Sequence, residues 1–423
     1  MSSYREKAFA LLEATRNHIF ELGQTLFDHP ERGFQEFETA AIIGDYLERT
    51  GIPFQRELAR TGIRATLGTE GYHLALVADM DALEVQGDKG PVLRHACGHS
   101  IQVTVMLALM RIFKDLGIPG SEPGRISFLA TPAEEFLDLD FRRELIRQGT
   151  VTHLSGKQSM IALGLFDDVD AVLSCHVSGD DHFRFDVGST LAGFNVKQVR
   201  FLGRAAHSGV APHLGRNALQ AATLCIQASS FLQEQYAPES GVRLYPILTQ
   251  GGLSANAIPE VAVLETYLRA HSTEDLLDLD QRFEALAGHC AGALGLEHEI
   301  VRTSGYLPLV QSAELNEVIY RNMLNLCRTE DILVGPSSSA SGDMGDLASL
   351  LPAVQFGFSG TSGRVHSAAF EIQDQEKTYL DPARVLLGTV IDLFENPALQ
   401  VSNARYTEDK KAYLASWLGS PDA

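Results

Sequence analysis

The sharpest local signal in the chain is the run from Arg94 to Ser100, RHACGHS, which places Cys97 and His99 on either side of Gly98. A thiolate and an imidazole two residues apart can serve one metal ion or two adjacent ones. The glycine between them lets the backbone turn tightly beside an ion. Alone, the pair is weak, because Cys97 fits equally well as a small buried hydrophobe. Further candidates sit just after short apolar runs. Asp79 and Asp81 follow HLALVA, Glu134 and Glu135 follow RISFLATPA, His176 follows AVLSC, and His366 comes late in the chain. Each has a plain structural use as well: Asp after a strand caps a helix, paired Glu opens a solvated helix, and a single His is commonly a satisfied core or surface residue. Their convergence on one sheet edge favours chemistry. Cys97, His99, Glu135, His176 and His366 form a donor set suited to zinc, with manganese or cobalt as substitutes. Five ligands exceed the four of a tetrahedral structural site and point to two ions, a bridging ligand and an open position for water.

The elements that must position these residues read from periodicity. Residues 4–27 are amphipathic at helical spacing, and a second helix over 36–50 stops at Gly51. Apolar runs at 73–78, 125–130 and 171–175 read as strands, with a helix over 101–116 between the first two. Strands separated by helices predict a largely parallel sheet covered on both faces, whose carboxyl ends line a ligand crevice. The middle of the chain differs: strand 193–202, helix 217–235, strands 242–250 and 261–269, helix 275–292 and strand 297–303. That β-α-β-β-α-β order is ferredoxin-like. Helix–strand alternation then resumes with a strand over 351–358 and a helix over 382–395, and the tail after Asn396 suggests one short helix. The expected architecture is α/β, a mixed and largely parallel sheet flanked by helices. It comprises residues 1–187 and 305–423, with an α+β domain, 188–304, inserted.

Composition narrows the classes. Hydrophobic residues make up 45% and charged residues 21%, ordinary for a globular chain. The net charge of −20 leaves no surplus of cations for nucleic-acid phosphates. No apolar run is long enough for a membrane span, and the charged N-terminal stretch lacks a signal-peptide core. The five cysteines include no CxxC pair, so a reducing cytoplasm is expected. HExxH and G-x-S-x-G are absent, which disfavours zincin and serine-hydrolase chemistry.

With these residues in place, the chain resembles the aminoacylase/carboxypeptidase family of two-zinc amidohydrolases, in its indole-acetyl-amino-acid, hippurate and aminobenzoyl-glutamate hydrolase branch. The resemblance rests on HPERGFQEFETA (29–40), ADMDAL (78–83), HACGH (95–99), PAEE (132–135) and CHV (175–177). It continues through GRAAHSGVAPHLGRNAL (203–219), GGLSANAIPE (251–260), LRA (268–270) and VHSAAF (365–370). It implies a zinc-exopeptidase-like catalytic domain with an inserted lid through which relatives dimerise. It implies that Cys97 bridges two divalent ions, that His99, Glu135, His176 and His366 complete their ligands, and that Glu134 is the general base. Asp81 resembles the carboxylate that orients the site. His207 resembles a histidine that reaches substrate, Asn256 and Arg269 resemble residues that hold the substrate amide and carboxylate, and His213 stands as a further substrate contact. The implied reaction releases an amino acid from an N-acyl or N-aryl amide or an aminobenzoyl-glutamate-like amide, in a homodimer, with no nucleic-acid or membrane partner. Cleavage of unblocked dipeptides is the neighbouring reading, and a catalytically weakened metal-containing binding protein is a third. Two departures stand out: Ser100 where hippurate-type relatives usually carry Asp, and SGDMGDL (341–347), where Asp343 and Asp346 are either site supports or helix caps.

Overall fold

The computed structural model describes residues 3–178 and 182–419. The chain forms two compact units, Met1–Ser189 with Gln311–Pro336 and Asp346–Ala423, and Thr190–Val310 with Ser337–Gly345.

The larger unit is built on an eight-stranded sheet in the order Phe54–Leu58, Gly62–Leu67, Gly124–Thr131, Tyr72–Asp79, Ala171–Val177, Ala353–Phe358, Phe185–Val187, Ile332–Val334. The four central strands, Gly124–Thr131 to Ala353–Phe358, run parallel. They are almost wholly buried, which is why their sequences are continuous apolar runs rather than alternating ones. The chain leaves Tyr72–Asp79 for the neighbour on one side and later returns to Ala171–Val177 on the other. A reversal of strand order at that point opens a crevice at the carboxyl ends. One sheet edge is antiparallel, through the Phe54–Leu58 and Gly62–Leu67 hairpin, and at the other edge Ile332–Val334 pairs parallel with Phe185–Val187. Helix His99–Leu116 buries nearly all of its residues and packs on Tyr72–Asp79, with helices Arg16–Phe27 and Asp381–Glu395 around it.

The expected helix over 4–27 is two, Ser3–Ala14 and Arg16–Phe27. The break is Thr15, whose hydroxyl donates back to Leu11 O at 2.9 Å and Leu12 O at 3.2 Å, a contact that competes with the helical ladder. Gly51 closes Phe37–Thr50 at φ 65°, the left-handed stop its position suggested. The tail holds helix Tyr406–Tyr413, whose Tyr413 hydroxyl donates to buried Asp346 at 2.8 Å. Among the described residues, no helix is long and apolar enough to cross a membrane.

One buried ion pair supports the carboxyl edge of the sheet. Lys157 Nζ, fully buried, contacts Asp79 Oδ1, which also accepts the Thr131 hydroxyl at 2.6 Å. Removing one partner of such a pair leaves an uncompensated charge in low dielectric. Lys157→Met is expected to lower unfolding free energy by about 3–5 kcal/mol, read by urea denaturation; a change within error would dismiss the pair as a support.

The smaller unit has an antiparallel sheet ordered Arg243–Leu244, Val261–Ala270, Gly193–Leu202, Glu297–Ser304, with Ile247–Gln250 also paired to Val261–Ala270. Helices Ala218–Gln233 and Thr273–Ala293 pack on this sheet and on each other. This is the β-α-β-β-α-β arrangement in which the first and third strands lie side by side. The expected strand 242–250 is broken at Tyr245–Pro246, because proline supplies no ladder N–H. Residues 305–310 and 337–345 also belong to this unit. The latter segment is tied in by Ala192 N–H, which donates to Ser338 O at 3.1 Å and Ala340 O at 2.9 Å.

Candidate metal centre

Seven of the singled-out residues lie in the larger unit, on four sheet-edge connections and one late loop. Asp81 stands two residues beyond strand Tyr72–Asp79, Cys97 and His99 stand at the start of helix His99–Leu116, and Glu134 and Glu135 follow strand Gly124–Thr131. His176 ends strand Ala171–Val177, paired beside Gly357. His366 comes from a loop held by its own N–H, which donates to Ala96 O at 2.9 Å, and its backbone is left-handed at φ 61°. Gly98, at φ 81°, is required: a Cβ there would stand 2.3 Å from Val177 Cγ2.

The side chains converge. Cys97 Sγ lies 3.5 Å from His176 Nε2 and 3.3 Å from His366 Nε2. His366 Nε2 lies 3.3 Å from Glu135 Oε1, and His99 Nε2 lies 3.8 Å from Glu134 Oε2. Three overlapping donor groups result: Cys97–His99–His176, Cys97–Glu135–His366, and His99–Glu134–Glu135. Cys97 belongs to the first two.

Supporting groups fix these donors. His99 Nδ1 donates to Asp81, whose carbonyl oxygen is at 2.8 Å and Oδ1 at 3.1 Å. The other Asp81 oxygen accepts Glu135 N–H at 3.0 Å. A carboxylate behind a histidine fixes its tautomer and aims the far nitrogen outward. Among the described residues, that nitrogen, His99 Nε2, is buried without a hydrogen-bond partner, as is Glu135 Oε1. Orphaned buried acceptors of this kind are costly unless something fills them, and an imidazole, a thiol and a carboxylate facing each other suit a divalent cation. Burial also pushes the His176 imidazole down to about 4, leaving it neutral, and raises the Cys97 thiol. A cation would supply the positive charge that the thiolate lacks.

At the first departure, Ser100 Oγ is buried with no hydrogen bond among the described residues, while Gln102 Oε1 accepts Asp79 N–H at 2.8 Å. Gln102 thus ties the helix to the strand end that leads to Asp81. Asp346 lies in the first turn of helix Met344–Ala348, where its Oδ1 accepts the Tyr413 hydroxyl at 2.8 Å.

The remaining four residues lie in the smaller unit. His207 pairs with Ala257 as an isolated bridge, and Ser208 N–H donates to Asn256 O at 3.0 Å, so these two loops run together. His213 sits exposed in the short turn Pro212–Leu214. Arg269, on strand Val261–Ala270, stacks 5.3 Å from Phe194 and 5.4 Å from Tyr267. Its Nη1 donates to Ser341 Oγ at 2.7 Å.

An open α/β sheet with a Cys/His/carboxylate cluster at its carboxyl edge is the arrangement of a metal-binding site in a ligand crevice. The chain belongs to peptidase family M20/M25/M40, whose model matches residues 75–392. It is 29% identical over 295 residues to one of the p-aminobenzoyl-glutamate hydrolase subunits of Escherichia coli (strain K12), covering 65% of this chain and 56% of that protein. It is 26% identical to N-acetyl-L-cysteine deacetylase of Bacillus subtilis (strain 168), covering 86% and 85%. A solved dinuclear metal-binding peptidase of the M20 family from Bacillus subtilis superposes with TM-score 0.69 at 19% identity, covering 90% of this chain and 99% of that one.

Proposed function

We propose that this M20 hydrolase is a two-metal amidohydrolase that releases an amino acid from an N-acyl or N-aryl amino acid or an aminobenzoyl-glutamate-like amide. The observation that carries the reading is the pair of donor groups sharing Cys97, with the Glu134 carboxylate 3.8 Å from His99 Nε2. Cys97, His99, Glu135, His176 and His366 hold two divalent cations, zinc in first place and manganese or cobalt as substitutes. When bound, such ions acidify a water and polarise the scissile carbonyl. Glu134 takes the proton of the attacking water and passes it to the departing amine. Asp81 holds His99 in the tautomer that leaves Nε2 outward.

His207, Asn256, His213 and Arg269 contact substrate, with Arg269 gripping its carboxylate through a planar guanidinium. On this reading Arg269→Ala raises KM for carboxylate-bearing substrates by about ten- to a hundredfold, the range of a lost charged hydrogen bond, and leaves kcat nearly unchanged. Equal KM for the variant and the parent would remove Arg269 from substrate binding. The enzyme works as a homodimer through the smaller unit, whose strand region exposes Tyr245 and Ile247. It works in the cytoplasm, in keeping with five unpaired cysteines.

Metal analysis of the purified protein, paired with amino-acid release from N-acyl amino acids, aminobenzoyl-glutamate and free dipeptides, tests the proposal. Two ions per chain and release from the acylated class are expected. Release from dipeptides alone would make it a dipeptidase, and no bound metal with no release would overturn both.

A further inference from the structure

The peptide that carries Glu134 and Glu135 leaves its strand through Ala133, which sits at φ 54°. A residue with a Cβ avoids this left-handed region, and such a turn persists only where its surroundings over-determine it. Two buried polar side chains supply that restraint from the interior side. Glu36, fully buried, accepts Ala133 N–H at 2.8 Å and Phe34 N–H at 3.0 Å on Oε1. Its Oε2 accepts the Thr61 hydroxyl at 2.6 Å. Arg142, 1% exposed, donates from Nη1 to Ala133 O at 3.1 Å and Leu154 O at 2.7 Å, and from Nη2 to Glu135 O.

Both backbone polar groups of Ala133 are therefore held, and so is the carbonyl of Glu135. With Asp81 on Glu135 N–H, the backbone is pinned on both sides of Glu134. The partners are themselves held. The Arg142 guanidinium lies 5.5 Å from the Phe34 ring centre, and a Cβ on Gly33 would stand 2.6 Å from Arg142 Nη2. The apolar residues around this clamp, Phe34, Ala133, Leu145 and Val151, form a small core of their own. Stability alone would be served as well by hydrophobic residues there. Burial and the Asp81 charge push Glu36 up to about 8, against the hydrogen bonds donated by Thr61 and Ala133, which favour its charged form.

We propose that Glu36 and Arg142 are positioning residues that hold the left-handed turn at Ala133 and thereby aim Glu134 and Glu135 into the metal centre. This rests on the reading of Glu134 as the base and Glu135 as a ligand. It gives a task to HPERGFQEFETA, the resemblance motif left without one, through its Gly33, Phe34 and Glu36.

The test compares Glu36→Gln, Glu36→Met, Arg142→Lys, and Glu36→Met combined with Ala133→Gly. Glu36→Gln keeps an acceptor oxygen in a side chain of the same shape and should retain kcat within about twofold of the parent. Glu36→Met should lower kcat about ten- to a hundredfold, the cost of ångström-scale misplacement of a catalytic group, with KM little changed. Adding Ala133→Gly should recover much of that loss, because glycine adopts positive φ without restraint. Amide exchange in peptides spanning 131–136 should quicken in Glu36→Met and not in Glu36→Gln, whether or not the enzyme is assayed. If Glu36→Met fails to fold, Arg142→Lys takes its place, since an ammonium lacks the planar fork that reaches Ala133 O and Leu154 O from Nη1 and Glu135 O from Nη2. Parental kcat and parental exchange in the folded variant would overturn the clamp. A parent that releases no amino acid would overturn the functional reading instead, leaving the exchange result to decide the clamp.

Discussion

Glu134→Gln keeps the fold and the metal content of the parent and lowers amide hydrolysis at least about a hundredfold, the range that loss of a general base produces. The expectation comes from position. Glu134 is held in the third donor group, 3.8 Å from His99 Nε2, and its side chain keeps 14% exposure, so water reaches it. It is absent from both groups that share Cys97, whereas its neighbour Glu135 belongs to one of them. The two adjacent carboxylates are therefore separable: one drops activity with metal retained, the other drops metal. Calorimetric melting, metal analysis and initial rates on the same preparation check this. Full activity in Glu134→Gln removes it as the base, and lost metal reassigns it as a ligand.

Cys97→Ala has the second large effect, and its signature is different. The thiol lies 3.5 Å from His176 and 3.3 Å from His366, in both donor groups at once. If Cys97 is the shared ligand of the proposed two-metal centre, removing it would withdraw a ligand from two ions rather than from one, so metal content should fall below that of single-histidine variants such as His366→Ala, and activity with it. Affinity losses of about ten- to a hundredfold already follow from disturbing groups behind a ligand, and loss of a shared ligand exceeds them. Excess metal added back should restore little rate. Unchanged stoichiometry in Cys97→Ala, measured against His366→Ala, would remove Cys97 from the shared role and return it to the status of a small buried hydrophobe. The apoprotein melting temperature is expected to change little, because the substitution removes only one sulfur from the rim of the core.

How much of this was legible beforehand follows from what each signal depends on. The parallel strands were readable because burial on both faces demands an unbroken apolar run, as in HLALVA before Asp79. The edge strand Phe54–Leu58 was not, because it is mostly exposed and its antiparallel pairing to Gly62–Leu67 rests on the backbone. The break at Thr15 depended on a hydroxyl contact that competes with an otherwise continuous helical pattern. Segment Ser337–Gly345 was placed with the wrong neighbours by sequence position, since its partners at Ala192 and Arg269 are far away along the chain.

The centre divides along the same line. Residue type and local spacing were enough to single out side chains that the fold brings together, because thiol, imidazole and carboxylate are rare together at strand ends and carry their chemistry with them. They were enough, too, to set out the β-α-β-β-α-β order, since each element has its own period. Which of these side chains meet, and which others hold them in place, depended on atoms meeting from distant parts of the chain. Cys97 stands between His176 and His366 only because the sheet order reverses beside Asp79 and a late loop returns to Ala96. Glu36 and Arg142 read as ordinary surface charges when taken one by one along the chain. Burial against a left-handed alanine, which no local pattern encodes, turns them into the frame of the site.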